Sequence, residues 1–105
     1  SRGLGDVYKR QNQCKALFKV SFGGNIAIPT GGTVGAISVA LAVGGEALNS
    51  ATAIVTPAAV DQYSNVFTAV FVEVPRGCCV TVALKNTSTQ AISIANSNLI
   101  VERVA

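Results

Sequence analysis

The sequence contains no histidine. This removes the Ser-His-Asp and Cys-His catalytic groupings and the usual zinc ligand sets, all of which depend on imidazole. Charge is scarce as well. Only 12% of the 105 residues are Asp, Glu, Lys or Arg, about half the fraction usual in a soluble domain. A glycosidase-type reaction needs two carboxylates brought together. Outside the first eleven residues only Glu46, Asp61, Glu73 and Glu102 are available, and they are scattered. Asp61 and Glu73 are the candidates for such a pair. Their ordinary roles would be a loop residue and a solvated strand end. Long apolar runs are missing too. The longest, Ala36 to Val43, is interrupted by Ser38 and stopped by Gly44-Gly45, well short of the roughly 18 residues of a spanning helix. The chain does not open with the basic stub and apolar stretch of a cleavable secretory signal, which leaves secretion open.

Half of the residues are apolar. That excludes a disordered chain, which needs low hydrophobicity and high net charge. It also leaves more apolar surface than one small domain can hide, and self-association is the simplest way to cover the excess. The first eleven residues, Ser1 to Gln11, resemble a translated library adapter of the kind found at the ends of environmental sequence reads, so fold reasoning begins at Asn12. This segment holds Arg2, Lys9 and Arg10 against Asp6. The remainder has Lys15, Lys19, Arg76, Lys85 and Arg103 against four acids and contains no basic cluster. A nucleic-acid partner is therefore not expected.

From Ala16 onward the apolar period is two. Phe18, Val20 and Phe22 alternate with Lys19 and Ser21. Gly23-Gly24 permits a bulge or bend, after which Ile26 and Ile28 resume the pattern. Ile37, Val39, Leu41 and Val43 form a bulky face. Ala36, Ser38, Ala40 and Ala42 form a small one, as expected of a strand packed on both sides. Gly44-Gly45 is a tight hairpin signal. Ala51 to Thr56, Val66 to Val74, Val80 to Leu84, Ile92 to Ile94 and Leu99 to Val104 read as further strands, with turn residues between them. The spacing predicts about seven strands and no helix in one domain, residues 12–105, built as a β-sandwich or jelly roll. On Val66 to Val74, the longest of these strands, Phe67, Ala69 and Phe71 share one face. Val66, Val70, Val72 and Val74 share the other. Both faces are apolar, so one is expected to be core and the other covered by a second copy. Val66, Val70, Phe71 and Val72 are the candidate subunit-interface residues.

Cys78-Cys79 admits three readings. Two small, soft side chains can fill the start of a strand. A disulfide can join Cys14 to one of the pair, within or between chains. A vicinal disulfide is the strained third choice. Cys14, Cys78 and Cys79 are thus candidate disulfide or interface thiols, and an odd count leaves one free or linking chains. With no further soft ligand, neither a metal nor another cofactor is expected. Thr30-Gly31-Gly32-Thr33-Val34-Gly35 lacks the lysine and following helix of a phosphate loop. Asn86-Thr87-Ser88 is a glycosylation sequon, meaningful only in a glycosylating secretory pathway.

The segments Phe18-Lys-Val-Ser-Phe22, Ala42-Val-Gly-Gly-Glu46, Val74 to Thr87 and the C-terminal Ala-Asn-Ser-Asn-Leu-Ile-Val-Glu-Arg-Val-Ala resemble the head domains of bacterial collagen-tailed surface proteins. The C-terminal domain of the Bacillus exosporium glycoprotein BclA is the type example. The wider group is the tumour-necrosis-factor-like and complement-head jelly roll. The resemblance implies a non-enzymatic, trimerising head of a bacterial or phage surface or fibre protein, acting in assembly or adhesion outside the cell or on a cell, spore or virion surface. It also implies an N-terminally truncated domain, because that jelly roll has about ten strands. A carbohydrate-binding sandwich is the alternative. It would need an exposed aromatic platform, for which Tyr63 is the plausible residue.

Overall fold

The computed structural model describes residues 15–77 and 79–105. Six strands and no helix are present among them. They are β1 (Ala16–Ala27), β2 (Ile37–Val43), β3 (Glu46–Val55), β4 (Ser64–Val74), β5 (Val82–Asn86) and β6 (Ser93–Arg103). They form two three-stranded antiparallel sheets, ordered β4-β1-β6 and β3-β2-β5. The sheets face each other as a β-sandwich. The period-two pattern explains this arrangement directly: each strand has an apolar set to bury, and each sheet covers the other's inner face.

The core is built around the two central strands. Val20, Phe22 and Ile26 of β1 meet Ile37, Val39 and Leu41 of β2, with Ile28 and Ala51 beside them. Ala40 and Ala42 are buried too, so both faces of β2 are covered, as its bulky and small sides suggest. The register between β2 and β3 shifts after Ala40, which pairs with Thr52, to Ala42, which pairs with Ala47. The Thr52 hydroxyl donates to the Leu48 carbonyl at 2.8 Å within that bulge.

Six strands stand where about seven are expected because Ile92 to Ile94 and Leu99 to Val104 belong to one strand. β6 runs unbroken through Asn96-Ser97-Asn98, with Asn96 at a φ of 52°. Its register against β1 shifts between Gly23 and Asn25. The glycine pair on β1 and the left-handed Asn96 on β6 together absorb a β-bulge instead of ending either strand. Close approach explains the glycine: a Cβ on Gly24 would lie 3.0 Å from the Ser97 Cβ and 3.1 Å from the Phe22 ring.

Val43 pairs with Glu46, so Gly44 and Gly45 alone turn the β2–β3 hairpin, at φ of 61° and 84°. Two successive positive φ values define the type I′ turn that matches strand twist. Gly45→Val is expected to destabilise the domain by about 1–2 kcal/mol, the left-handed penalty of a residue with a Cβ. Gly45→Asn should cost clearly less, and urea unfolding of the two variants measures the difference.

Candidate functional site

Of the four valine and phenylalanine positions expected at a subunit interface, three point inward. Val66 and Val72 are 5% and 7% exposed and belong to the core of the single chain, and Val70 packs against that core. They are core residues rather than interface residues, because β4 turns its even-numbered side chains toward β3 and β2. Phe71 lies on the opposite, outward face at 62% exposure, and Phe67 joins it at 65%.

This outward face is the most distinctive surface of the domain. The β1–β4 register sets Phe71 opposite Lys19 and Phe67 opposite Gly23. The β1–β6 register sets Ile100 opposite Ser21 and Glu102 opposite Lys19. Two exposed phenylalanines and the half-exposed Ile100 therefore stand on one side of the sheet. Small residues (Ser21, Gly23, Ala69) lie between them. Tyr63, also exposed, immediately precedes β4. Sequence reasoning singled out Tyr63 as the plausible exposed aromatic outside the adapter-like segment. The signal for the other two was Glu73, which shares their parity on β4 and is solvated: it makes an ion pair with Lys15 at 3.1 Å, both side chains being more than half exposed.

The second surface feature is a groove of about 200 Å³ between the sheets, lined by Phe18, Val20, Val72, Val74, Val80, Val82 and Val101. Every lining residue is apolar. The groove offers no group that could activate a nucleophile or move a proton.

The remaining candidates are dispersed. Asp61 sits in the β3–β4 loop, where its amide donates to the Ile28 carbonyl at 2.7 Å and its carboxylate accepts from the Thr30 hydroxyl. Glu73 is at the far end of β4. Nine strand steps lie between Ser64 and Glu73, roughly 30 Å at ~3.3 Å per residue, so the two acids form no catalytic pair. Among the described residues no group of three or more Cys, Asp or Glu side chains gathers to hold a metal. Cys79 is a free, exposed thiol just before β5, not a residue inside a strand. Cys14, Cys78 and the adapter-like segment lie outside the described residues.

The glycine-rich loop is fixed by a side chain rather than shaped for phosphate. Gln90 accepts from the Thr33 amide at 2.9 Å and donates to the Thr33 carbonyl at 2.6 Å. In the sequon, the Asn86 side-chain amide donates to the Gln90 carbonyl at 2.8 Å, and its oxygen accepts from the Ser88 amide at 2.9 Å. Asn86 therefore holds the β5–β6 loop in a turn.

No match was found. Comparisons with protein-family models, curated proteins and solved structures are all negative. No helix among the described residues is long and apolar enough to cross a membrane.

Proposed function

We propose that the domain works by assembly and not by catalysis, as a trimerising head of a bacterial or phage surface or fibre protein that nucleates a stalk, caps a fibre or adheres to a partner. The observation that carries this reading is the outward face of β4-β1-β6. Phe67, Phe71 and Ile100 are exposed on it, although the inward valines of β4 already pack into the core of the sandwich. A monomeric sandwich ordinarily leaves that face polar. Large apolar side chains there are covered when this face of one copy packs against a different surface of the next around a three-fold axis, and cyclic symmetry closes the assembly where an open arrangement would make fibres. At ~25 cal/mol per Å² of apolar area, a few hundred Å² per subunit contributes several kcal/mol before association costs. Few charges oppose the approach: the three paired strands carry Lys19, Glu73 and Glu102 on this face, of the two signs, and Glu73 is ion-paired with Lys15 just before β1.

Light scattering over a range of concentrations tests the reading. The expected mass is three chains, falling toward one on dilution. A domain that stays monomeric at tens of micromolar and unfolds independently of concentration overturns it.

The exposed aromatics favour one other reading, a carbohydrate-binding sandwich. Tyr63, Phe67 and Phe71 recur every fourth residue, and side chains that far apart on one strand face stand roughly 13 Å from each other. Retention on insoluble polysaccharide by a monomeric domain would select it over the trimer.

A further inference from the structure

Two apolar surfaces of the domain have opposite shapes. On the outward face of β4-β1-β6, Phe71 projects as a largely exposed ring. Between the sheets lies the groove of about 200 Å³, whose lining is wholly apolar. Val101 on its wall is half exposed, so the groove reaches solvent. We propose that the Phe71 ring of one copy seats in this groove of the next, each copy giving one ring and receiving one around a three-fold axis. This contact rests on the trimeric reading above and supplies the second surface that a cyclic assembly requires.

Three observations match the ring to the groove. The first is size. An apolar cavity of about 150 Å³ is enough to hold benzene, so the groove takes a phenyl ring together with the methylene that carries it. The second is polarity. The groove presents only hydrocarbon, and no buried side-chain nitrogen or oxygen among the described residues lacks a hydrogen-bond partner. Its occupant needs no polar group, and a phenyl ring brings none. The charges beside Phe71 are balanced, since Glu102 stands opposite Lys19 and Glu73 is ion-paired with Lys15. The ring therefore carries no unpaired charge toward the groove, where burial would be heavily penalised. The third is height. Rotation about an axis parallel to the strands leaves position along the strands unchanged, so patches that meet in such a closed ring lie at one level. Phe71 pairs with Lys19. Phe18 and Val20, on either side of Lys19, line the groove, as does Val101, the partner of Val20. Ring and groove thus share a level on opposite faces of one sheet. Phe67 is as exposed as Phe71 but pairs with Gly23. That is four residues farther along β1, roughly 13 Å at ~3.3 Å per residue, and beyond the groove lining. Phe71, not Phe67, is the ring that closes a cycle.

A ring that enters a groove elsewhere on the same molecule makes a head-to-tail contact, which closes by rotation. Two copies placed outward sheet to outward sheet across a two-fold axis would leave both grooves empty. Aromatic anchors in desolvated pockets dominate interface energetics, and the residues around them chiefly exclude water. Phe71 is therefore the anchor, with Phe67 and Ile100 in the surrounding role.

The chain contains no tryptophan, so Phe71→Trp and Phe67→Trp each introduce a single fluorescent reporter. Light scattering first fixes the mass of the parent chain. At concentrations where that mass is three chains, Phe71→Trp should emit at shorter wavelength than Phe67→Trp and be quenched less by acrylamide. Dilution to single chains should remove the difference. Phe71→Ala should weaken association at least about tenfold, as truncation of a central interface aromatic does, and Phe67→Ala by clearly less. Val101→Trp, which lays an indole of the chain's own across the groove, should give single chains with the circular dichroism of the parent. A parent of one or two chains overturns the trimer and this contact together. With a parent of three chains, the contact alone is overturned if the two tryptophans emit alike, if Phe67→Ala costs as much as Phe71→Ala, or if a folded Val101→Trp stays trimeric. Phe71 and Phe67 lie outside the core, so the emission and alanine comparisons decide the matter even where Val101→Trp does not fold.

Discussion

Val20→Asp should abolish the cooperative unfolding transition, and Phe71→Asp should leave a folded domain of lower mass. The two positions are neighbours across one sheet. Val20 is on the central strand β1, buried among Val70, Val101 and the β2 side chains. A carboxylate there loses its hydration and finds no cation, at a cost of several kcal/mol. A small domain holds only about 5–15 kcal/mol in total. Phe71, on β4, points to the other side of the sheet. An aspartate at that site is hydrated and sits opposite Lys19, a favourable cross-strand pair worth roughly 0.2–1 kcal/mol. Circular dichroism should therefore be native-like for Phe71→Asp and collapsed for Val20→Asp. Light scattering then separates the outward face from the core: a Phe71→Asp domain that is folded and still trimeric would remove this face as the interface.

Phe22→Ala carries the second large effect. The ring is 2% exposed on the central strand, opposite Thr68 on one side and Leu99 on the other. It also fills the space that a side chain on Gly24 would need. Truncating a buried phenylalanine costs about 3–5 kcal/mol, the larger figures belonging to sites that cannot collapse. Collapse is hindered here because Phe22 lies between two hydrogen-bonded neighbours on a bulged strand. Urea midpoints should fall accordingly with little change in slope, and a loss under about 1 kcal/mol would mean that the site repacks freely.

The sequence made the β-sandwich legible because nearly every strand carries a clean alternation bounded by Gly, Pro or Asn. It overcounted by one strand for a local reason. Asn96-Ser97-Asn98 has turn chemistry, and nothing in composition distinguishes a turn from a bulge that a paired strand can absorb. β4 was harder. Valines and phenylalanines alternate along it, both sets apolar, and size alone would put the larger rings in the core. The reverse holds. Thr68 and the valines face inward, where β3 and β2 stand close, and the rings face out. Glu73, in step with Phe67 and Phe71, was the available signal of orientation. Which strands pair across the chain depends on contacts far apart in sequence, and the half-exposed Leu99 and Val101 follow from that pairing rather than from any local pattern.

The strand pairing is nested, β2 with β3 inside β1 with β4, and the loops it closes differ greatly in length. Pairing β2 with β3 closes a loop of two glycines. Pairing β1 with β4 must then enclose everything from Ala27 to Tyr63, and pairing β1 with β6 encloses nearly the whole domain. Loop-closure entropy rises with each step, so the β2–β3 hairpin carries the smallest closure cost of the three pairings and β1–β6 the largest. Non-local pairing of this kind places refolding in the slow, milliseconds-to-seconds regime of all-β domains. Until β1 is in place, Leu99 and Val101 of β6 have no partner strand to cover them, and even in the folded domain they remain 42% and 50% exposed.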